Sequence, residues 1–370
     1  MRFRVEQDTT GILTLSSAEN YGAVLQCYSL CEKLNEMGHP ALIIDYFPDF
    51  IIGRYKWFFL RETRSPLDLV RDMAHFPDTL RKKAKFLSFR KRYLRLTATK
   101  YVRTFEDYSF YRIIVGSDQV WNTALTRNEK DFFLLSGFDG KQRNSYAASL
   151  GKDEIMPDEA SLFIGLKEFN RISVRERRSV EELKKLLGDK PISRNVDPVF
   201  LHNQDFWEKL CKANRRTKEY ILIYDFVTTD KAVQLAKIIK EKHQYEIVHI
   251  SQQFRSEYSD VTTARGIGPR DFLTLVKHAS YVITDSFHGM AFSIIFNRQF
   301  NVIPYPGTAS RMLDLLGILG MSDRIADGDT FSMEEIDYED VNNRIRNEQE
   351  ASEDYLESIY RNPAAGEKQS

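Results

Sequence analysis

The chain has 370 residues, room for about two domains of about 150 residues each. Hydrophobic residues make up 42% and 53 basic residues balance 53 acidic ones, a soluble composition without the excess positive charge of a nucleic-acid binder. The opening MRFRVEQDTTGILTL lacks the apolar core of a signal peptide and no run approaches the ~18 apolar residues of a membrane span, so a cytoplasmic protein is expected.

In chain order, GILTL reads as a short strand, SSAENYG as a loop, and residues 23–37 as a helix with Ala23, Cys27, Leu30, Cys31, Leu34 and Met37 on one stripe. Gly38 stops the helix and ALIID is the next strand, giving a βαβ unit that opens a parallel sheet. Cys27 and Cys31 lie four apart on one face and read as core rather than metal ligands; with Cys211 they are too few and odd for a disulfide framework. Residues 54–103 hold fifteen Lys or Arg against four acids, interleaved with Tyr55, Trp57, Phe58, Phe59, Phe86, Phe89 and Tyr93. Solvated helices are the plainer reading of that segment, and contact with anionic lipid headgroups or a lipid diphosphate at the inner membrane face the sharper one. Strand-like runs follow at 112–115, 144–149 and 171–174.

Around NVDPVFL the pattern pauses, and KEYILIYDF at 218–226 opens a second series: a helix from about 230, EIVHI, a helix near 271–278, YVITD, a helix from about 289, FNVIP and SRMLDLLGILG. The fold expected is α/β, with two Rossmann-like parallel-sheet domains facing a cleft: residues 1–210 with a basic helical insertion at about 51–103, then 211–330. Residues 331–370 follow as an acidic helix and a tail, PAAGEKQS, that reads as disordered. The ten acids and three arginines of residues 334–361 suggest docking against the basic segment.

In parallel sheets ligands sit beyond the carboxyl ends of the strands, and four polar loops fall there. TDSFHG places His288 at the first turn of a helix, where it is a general acid/base candidate or a structural hydrogen-bonding residue; Ser286 reads as an N-cap. SVRERRS concentrates Arg175, Arg177 and Arg178 with Glu176, and Arg175, directly after the strand, is the arginine expected in the cleft. GSDQVWN presents Ser117, Asp118 and Gln119 to sugar hydroxyls, or caps a helix over a core Trp121. SSAENYG presents Asn20, Tyr21 and Gly22 at a helix start, without the glycine spacing of a dinucleotide loop, so neither NAD nor FAD is expected. No Walker loop occurs, and the other six histidines form no metal-ligand spacing.

Read in order, NYGAVLQCYSL, IIDY, IVGSDQVWN, SYAASLG, ISVRERRS, VDPVFL, YVITDSFHGMAFSIIF and LLGILG resemble the polysaccharide pyruvyl transferase family over residues 15–325. The resemblance implies the two-lobed GT-B fold and transfer of the pyruvyl group of phosphoenolpyruvate onto sugar hydroxyls in capsule or exopolysaccharide synthesis, with no cofactor beyond that co-substrate and no metal. It makes His288 general acid or phosphate contact, Arg175 the holder of phosphate or carboxylate, and Arg311 a second anion contact, with Ser286 and Phe287 beside them at the donor. Asn20, Tyr21, Gly22, Ser117, Asp118 and Gln119 would receive the acceptor, a sugar that is lipid-linked or polymeric. Some members carry Arg-Leu where this chain has Ser286 and Phe287, so one cation is replaced or the donor lies differently. A nucleotide-sugar glycosyltransferase and a non-catalytic glycan-binding scaffold are the competing readings.

Overall fold

The computed structural model describes residues 2–6, 8–47, 66–98, 110–126, 129–138, 141–251, 258–305, 309–327 and 330–361. The first sheet is wholly parallel and holds β1 (Arg2–Phe3), β2 (Thr10–Leu13), β3 (Ala41–Ile43), β4 (Leu96–Thr97), β5 (Arg112–Val115) and β6 (Gln142–Ser145). Their spatial order is β1-β4-β3-β2-β5-β6. Two further strands, β7 (Ile172–Val174) and β8 (Ile192–Arg194), pair with each other and join the β6 edge through parallel bridges at Asn144–Arg171 and Ala148–Val174. The second sheet, also parallel, runs β11-β10-β9-β12-β13, from β9 (Tyr220–Asp225), β10 (Glu246–Ser251), β11 (Val261–Thr263), β12 (Tyr281–Thr284) and β13 (Gln299–Val302). Every residue of β9 and β12 is buried, which is why these strands read as continuous apolar runs rather than alternating ones.

The helix Tyr21–Glu36 connects β2 to β3 and buries Val24, Leu25, Cys27, Leu30, Cys31 and Leu34. It ends before Gly38, whose φ of 84° is left-handed, a conformation that costs glycine nothing. Burial pushes the Cys27 thiol up to about 12 and raises that of Cys31 as well, so both behave as core side chains.

The two sheets share one hydrophobic core. At its centre Tyr21 stacks on Phe272 of the second lobe (centroids 4.9 Å, planes 3° apart) and meets Tyr224 edge-on at 5.8 Å. The acidic helix Tyr338–Tyr360 returns from the second lobe to the first: Tyr355 donates to Ser145 O (2.8 Å), Tyr360 meets Thr10 Oγ1 (3.0 Å), and Arg171 Nε donates to Ser358 O (3.0 Å). Its acids pair with Lys33, His39 and Arg194. Among the described residues it therefore docks on the first helix and β8. Phe86 and Phe89, on the basic helix Pro66–Tyr93, point inward, and Arg90 Nη2 holds Asp45 Oδ1 at 2.8 Å. Tyr55, Trp57, Phe58 and Phe59 of that segment lie outside the described residues, as does the tail from residue 362. Among the described residues no helix is long and apolar enough to cross a membrane.

Candidate active site between the two sheets

A cavity of about 480 Å³ opens between the lobes. Its first-lobe wall comes from the loops after β2 (Leu15, Ala18, Asn20) and β5 (Asp118, Gln119, Asn122). Its second-lobe wall comes from Phe226 after β9, Asp285 to His288 after β12, Tyr305 after β13, and Arg311 in the helix Ala309–Leu319. All but Arg311 follow the carboxyl end of a parallel strand, the usual place for ligands in open α/β sheets.

His288 occupies the first turn of the helix Phe287–Ile295, where Ser286 Oγ accepts from Gly289 N at 3.3 Å as the N-cap. His288 is 9% exposed. It rests on the opposite lobe at Gly22, where a Cβ would fall only 2.0 Å from Nδ1. His288 Nε2 stands 3.6 Å from Asp197 Oδ2 and, among the described residues, has no hydrogen-bond partner. Asp197 is fully buried and accepts from Val199 N (3.2 Å) and from Arg175 Nη1. Burial alone would push its carboxyl up, yet the neighbouring His288 and Arg175 hold it well below the usual carboxylate range.

Arg175 does not line the cavity. Its Nε donates to Glu176 (3.1 Å), its Nη1 to Asp197, and its guanidinium lies 4.5 Å over the Phe287 ring. Burial opposes its charge, but Glu176, Asp197 and Asp118 overcome that and fix it as a cation. Two carboxylates hold it against Phe287, while its buried Nη2 has no hydrogen-bond partner among the described residues. The cation in the wall is Arg311, 8% exposed, whose Nε has no partner among the described residues. Burial, then the like charge of Arg175, lowers its pKa. Its Nη groups face the Gln119 amide, whose oxygen accepts from Asn122 Nδ2 (2.7 Å) in one orientation and from Arg311 (2.6 and 3.1 Å) in the other. The second orientation satisfies the Nη groups and leaves Nε as the donor open to an anion.

Of the expected acceptor residues, the structure brings Asn20, Asp118 and Gln119 to the cavity. Asn20 Oδ1 also caps the first helix at Ala23 N (3.2 Å). The other three lie behind that wall: Tyr21 is 2% exposed in the inter-lobe stack, Gly22 makes room for His288, and Ser117 Oγ donates inward to Ala147 O (2.7 Å). Sequence reasoning gave no role to Asp197, Phe226, Asp285 or Tyr305. The Asp-Pro of NVDPVFL signals a capped turn, but nothing local in it points to a histidine so far along the chain. Among the described residues no group of three His, Cys, Asp or Glu side chains converges as metal ligands would.

Two parallel α/β lobes with a cavity between them, walled by His288 and Arg311, have the two-lobed GT-B fold. A Listeria monocytogenes protein assigned as a UDP-N-acetylglucosamine 2-epimerase matches with TM-score 0.50 at 10% identity, over 98% of this chain and 93% of that one. UDP-bound MnaA of S. aureus (TM-score 0.49, 10% identity, 96% and 90% covered) and a glycosyltransferase from Streptomyces sp. SF2575 (0.40, 12%, 96% and 100%) are further neighbours. A comparison with curated protein sequences found no match. The chain belongs to the polysaccharide pyruvyl transferase family, whose model matches residues 20–307, a range that takes in Asp118, Arg175, Asp197 and His288 and stops just short of Arg311.

Proposed function

We propose that the protein transfers the pyruvyl group of phosphoenolpyruvate onto two hydroxyls of one sugar, forming a cyclic ketal in cell-surface polysaccharide synthesis. The observation that carries this reading is a desolvated guanidinium, Arg311, whose Nε has no partner among the described residues, in the same cavity wall as His288 on its helix N-terminus. Phosphoenolpyruvate is an enol phosphate with a carboxylate. It needs a cation at an anionic end and an acid for its methylene carbon, and helix N-termini favour anions. Arg311 holds an anionic group of the donor while His288, 3.6 Å from Asp197, delivers the proton. The carbon that results is oxocarbenium-like, and a sugar hydroxyl adds to it. Asn20 and Gln119, from the opposite wall, offer amide groups to the sugar. A well-placed acid contributes about 10²- to 10⁴-fold.

The test is donor binding by calorimetry followed by product analysis. Glycan extracted from a strain lacking this protein serves as acceptor. Wild-type protein should bind phosphoenolpyruvate, release phosphate and add one pyruvate ketal by mass. Arg311→Gln should weaken donor binding at least tenfold, and His288→Ala should abolish ketal formation with the fold intact. Failure to bind phosphoenolpyruvate, together with consumption of a nucleotide sugar, overturns the reading in favour of a glycosyltransferase.

A further inference from the structure

We propose that Asp118 is the catalytic base that takes the proton of the attacking sugar hydroxyl, an inference that rests on the pyruvyl-transfer reading above. Two carboxylates line the cavity, Asp118 and Asp285. Asp285 is the more heavily bonded: Oδ1 accepts from Phe226 N (2.8 Å), and Oδ2 from Val227 N (2.8 Å), Thr228 N (3.1 Å) and Thr228 Oγ1 (3.2 Å). Those bonds tie the loop after β9 to the loop after β12 and leave Oδ2 no lone pair for a ligand. Asp118 uses only Oδ1, which accepts from the next backbone amide, Gln119 N, at 2.9 Å. Among the described residues its Oδ2 has no hydrogen-bond partner.

The backbone at Asp118 is held where it is at a cost. Its φ of 73° is left-handed, a region that non-glycine residues seldom adopt and Asp and Asn tolerate best. Three contacts pin it there: Val120 N and Ser149 N donate to Asp118 O at 2.8 and 3.0 Å, and the residue bridges Ala148. A turn that needed only the conformation would be served by glycine at no strain. What aspartate adds is a carboxylate in the cavity wall, and strained backbone concentrates where geometry serves function. Its charge acts on both Arg175 and Arg311, so it lies within electrostatic reach of the donor anchor and on the lobe opposite His288.

The step balances as follows. His288 gives its proton to the methylene carbon of phosphoenolpyruvate, turning the methylene into a methyl and leaving the central carbon electron-poor. The first sugar hydroxyl forms its C–O bond to that carbon as Asp118 takes the hydroxyl proton. The carbon–oxygen bond to phosphate then breaks with its electron pair. The proton held by Asp118 leaves on the phosphate as hydrogenphosphate. The second hydroxyl closes the ketal, and its proton restores the His288 imidazolium.

Asp118→Asn tests this, because Asn suits the left-handed backbone equally well and keeps the bond from Gln119 N. With phosphoenolpyruvate and glycan from the deletion strain, kcat/KM should fall by about 10²- to 10⁴-fold. The acidic limb of its pH profile should vanish, while calorimetric binding of phosphoenolpyruvate persists. Turnover within threefold of wild type with the acidic limb unchanged overturns the inference, and so does loss of donor binding, which would make Asp118 part of the anion site. If the Asn variant does not fold, Asp118→Gly, free of backbone strain, takes its place in the same comparison. Should wild-type protein itself form no ketal, the pyruvyl-transfer reading fails first, an outcome distinct from active wild type with an unaffected Asp118 variant.

Discussion

Gly22→Ala should cripple the enzyme although residue 22 touches no substrate. Gly22 sits in the first turn of the helix Tyr21–Glu36, against the imidazole of His288. An added Cβ would fall 2.0 Å from Nδ1, 2.2 Å from Cγ and 2.5 Å from Cε1. Ordinary contact begins near 3.4 Å, so the ring must retreat by about 1.5 Å or the lobes must part. A displacement near 1 Å in a catalytic group costs about 10²-fold in rate, and that is the loss expected in kcat. Stability moves by two opposed terms. Alanine gains about 1 kcal/mol over glycine inside a helix, while forcing a methyl into a filled site costs about 1–3 kcal/mol. A net loss of about 1 kcal/mol is expected by urea denaturation. In a His288→Ala background the obstacle is gone, and the same change should stabilise by about 0.5–1 kcal/mol. The cycle of two single variants and the double variant should therefore show coupling of about 2 kcal/mol. Wild-type turnover in Gly22→Ala, or additive single effects, would refute the contact across the lobes.

Asp197→Asn should destabilise by about 3–5 kcal/mol, because it removes one partner from a buried ion pair; chemical denaturation reads this directly. The folded protein depresses the Asp197 pKa, so its contribution is full above the ordinary value of 3.8 and lost as pH falls toward the depressed one. The variant should accordingly lose less stability on acidification below that point. His202 works through the opposite ionisation. Its ring stacks on Phe206 at 3.6 Å and lies 3.2 Å from Ser29 O. Burial, then Lys33, lowers its pKa to about 3. The unfolded chain takes up a proton near 6.5 that the folded chain refuses, so stability should fall by about 1.4 kcal/mol per pH unit from 6.5 toward 3 on this account. In His202→Phe that part of the slope should disappear; an unchanged slope would show that His202 does not carry it.

Much of this was written in short-range pattern. Continuous apolar runs such as YILIYD and YVIT announced parallel strands, because both faces of such strands are covered. Polar loops directly after those runs announced where ligands gather, and the Ser286 cap with His288 in the first turn lies within one helical turn of sequence. Asp118 and Gln119 were legible for the same reason. The ion pair of Arg175 was not legible, because an arginine after a strand looks the same whether it faces solvent, a ligand or a buried carboxylate, and Asp197 belongs to another loop. The surroundings of Tyr21, Gly22 and Ser117 were hidden likewise. A tyrosine at a helix start stacks on Phe272 only once two lobes close over it, and the use of Gly22 is visible only when His288 lands on it.

The amino-acid sequence by itself determined the two series of strands and helices, the loops that face the cleft, and a histidine poised at a helix start, since periodicity and capping act within a few residues. Which carboxylates pair with Arg175, which backbone amides bind Asp285, and how closely the lobes meet were decided by tertiary structure alone. Each of those depends on side chains brought together from opposite ends of the chain, where distance and burial, not residue type, set the charge and the partner.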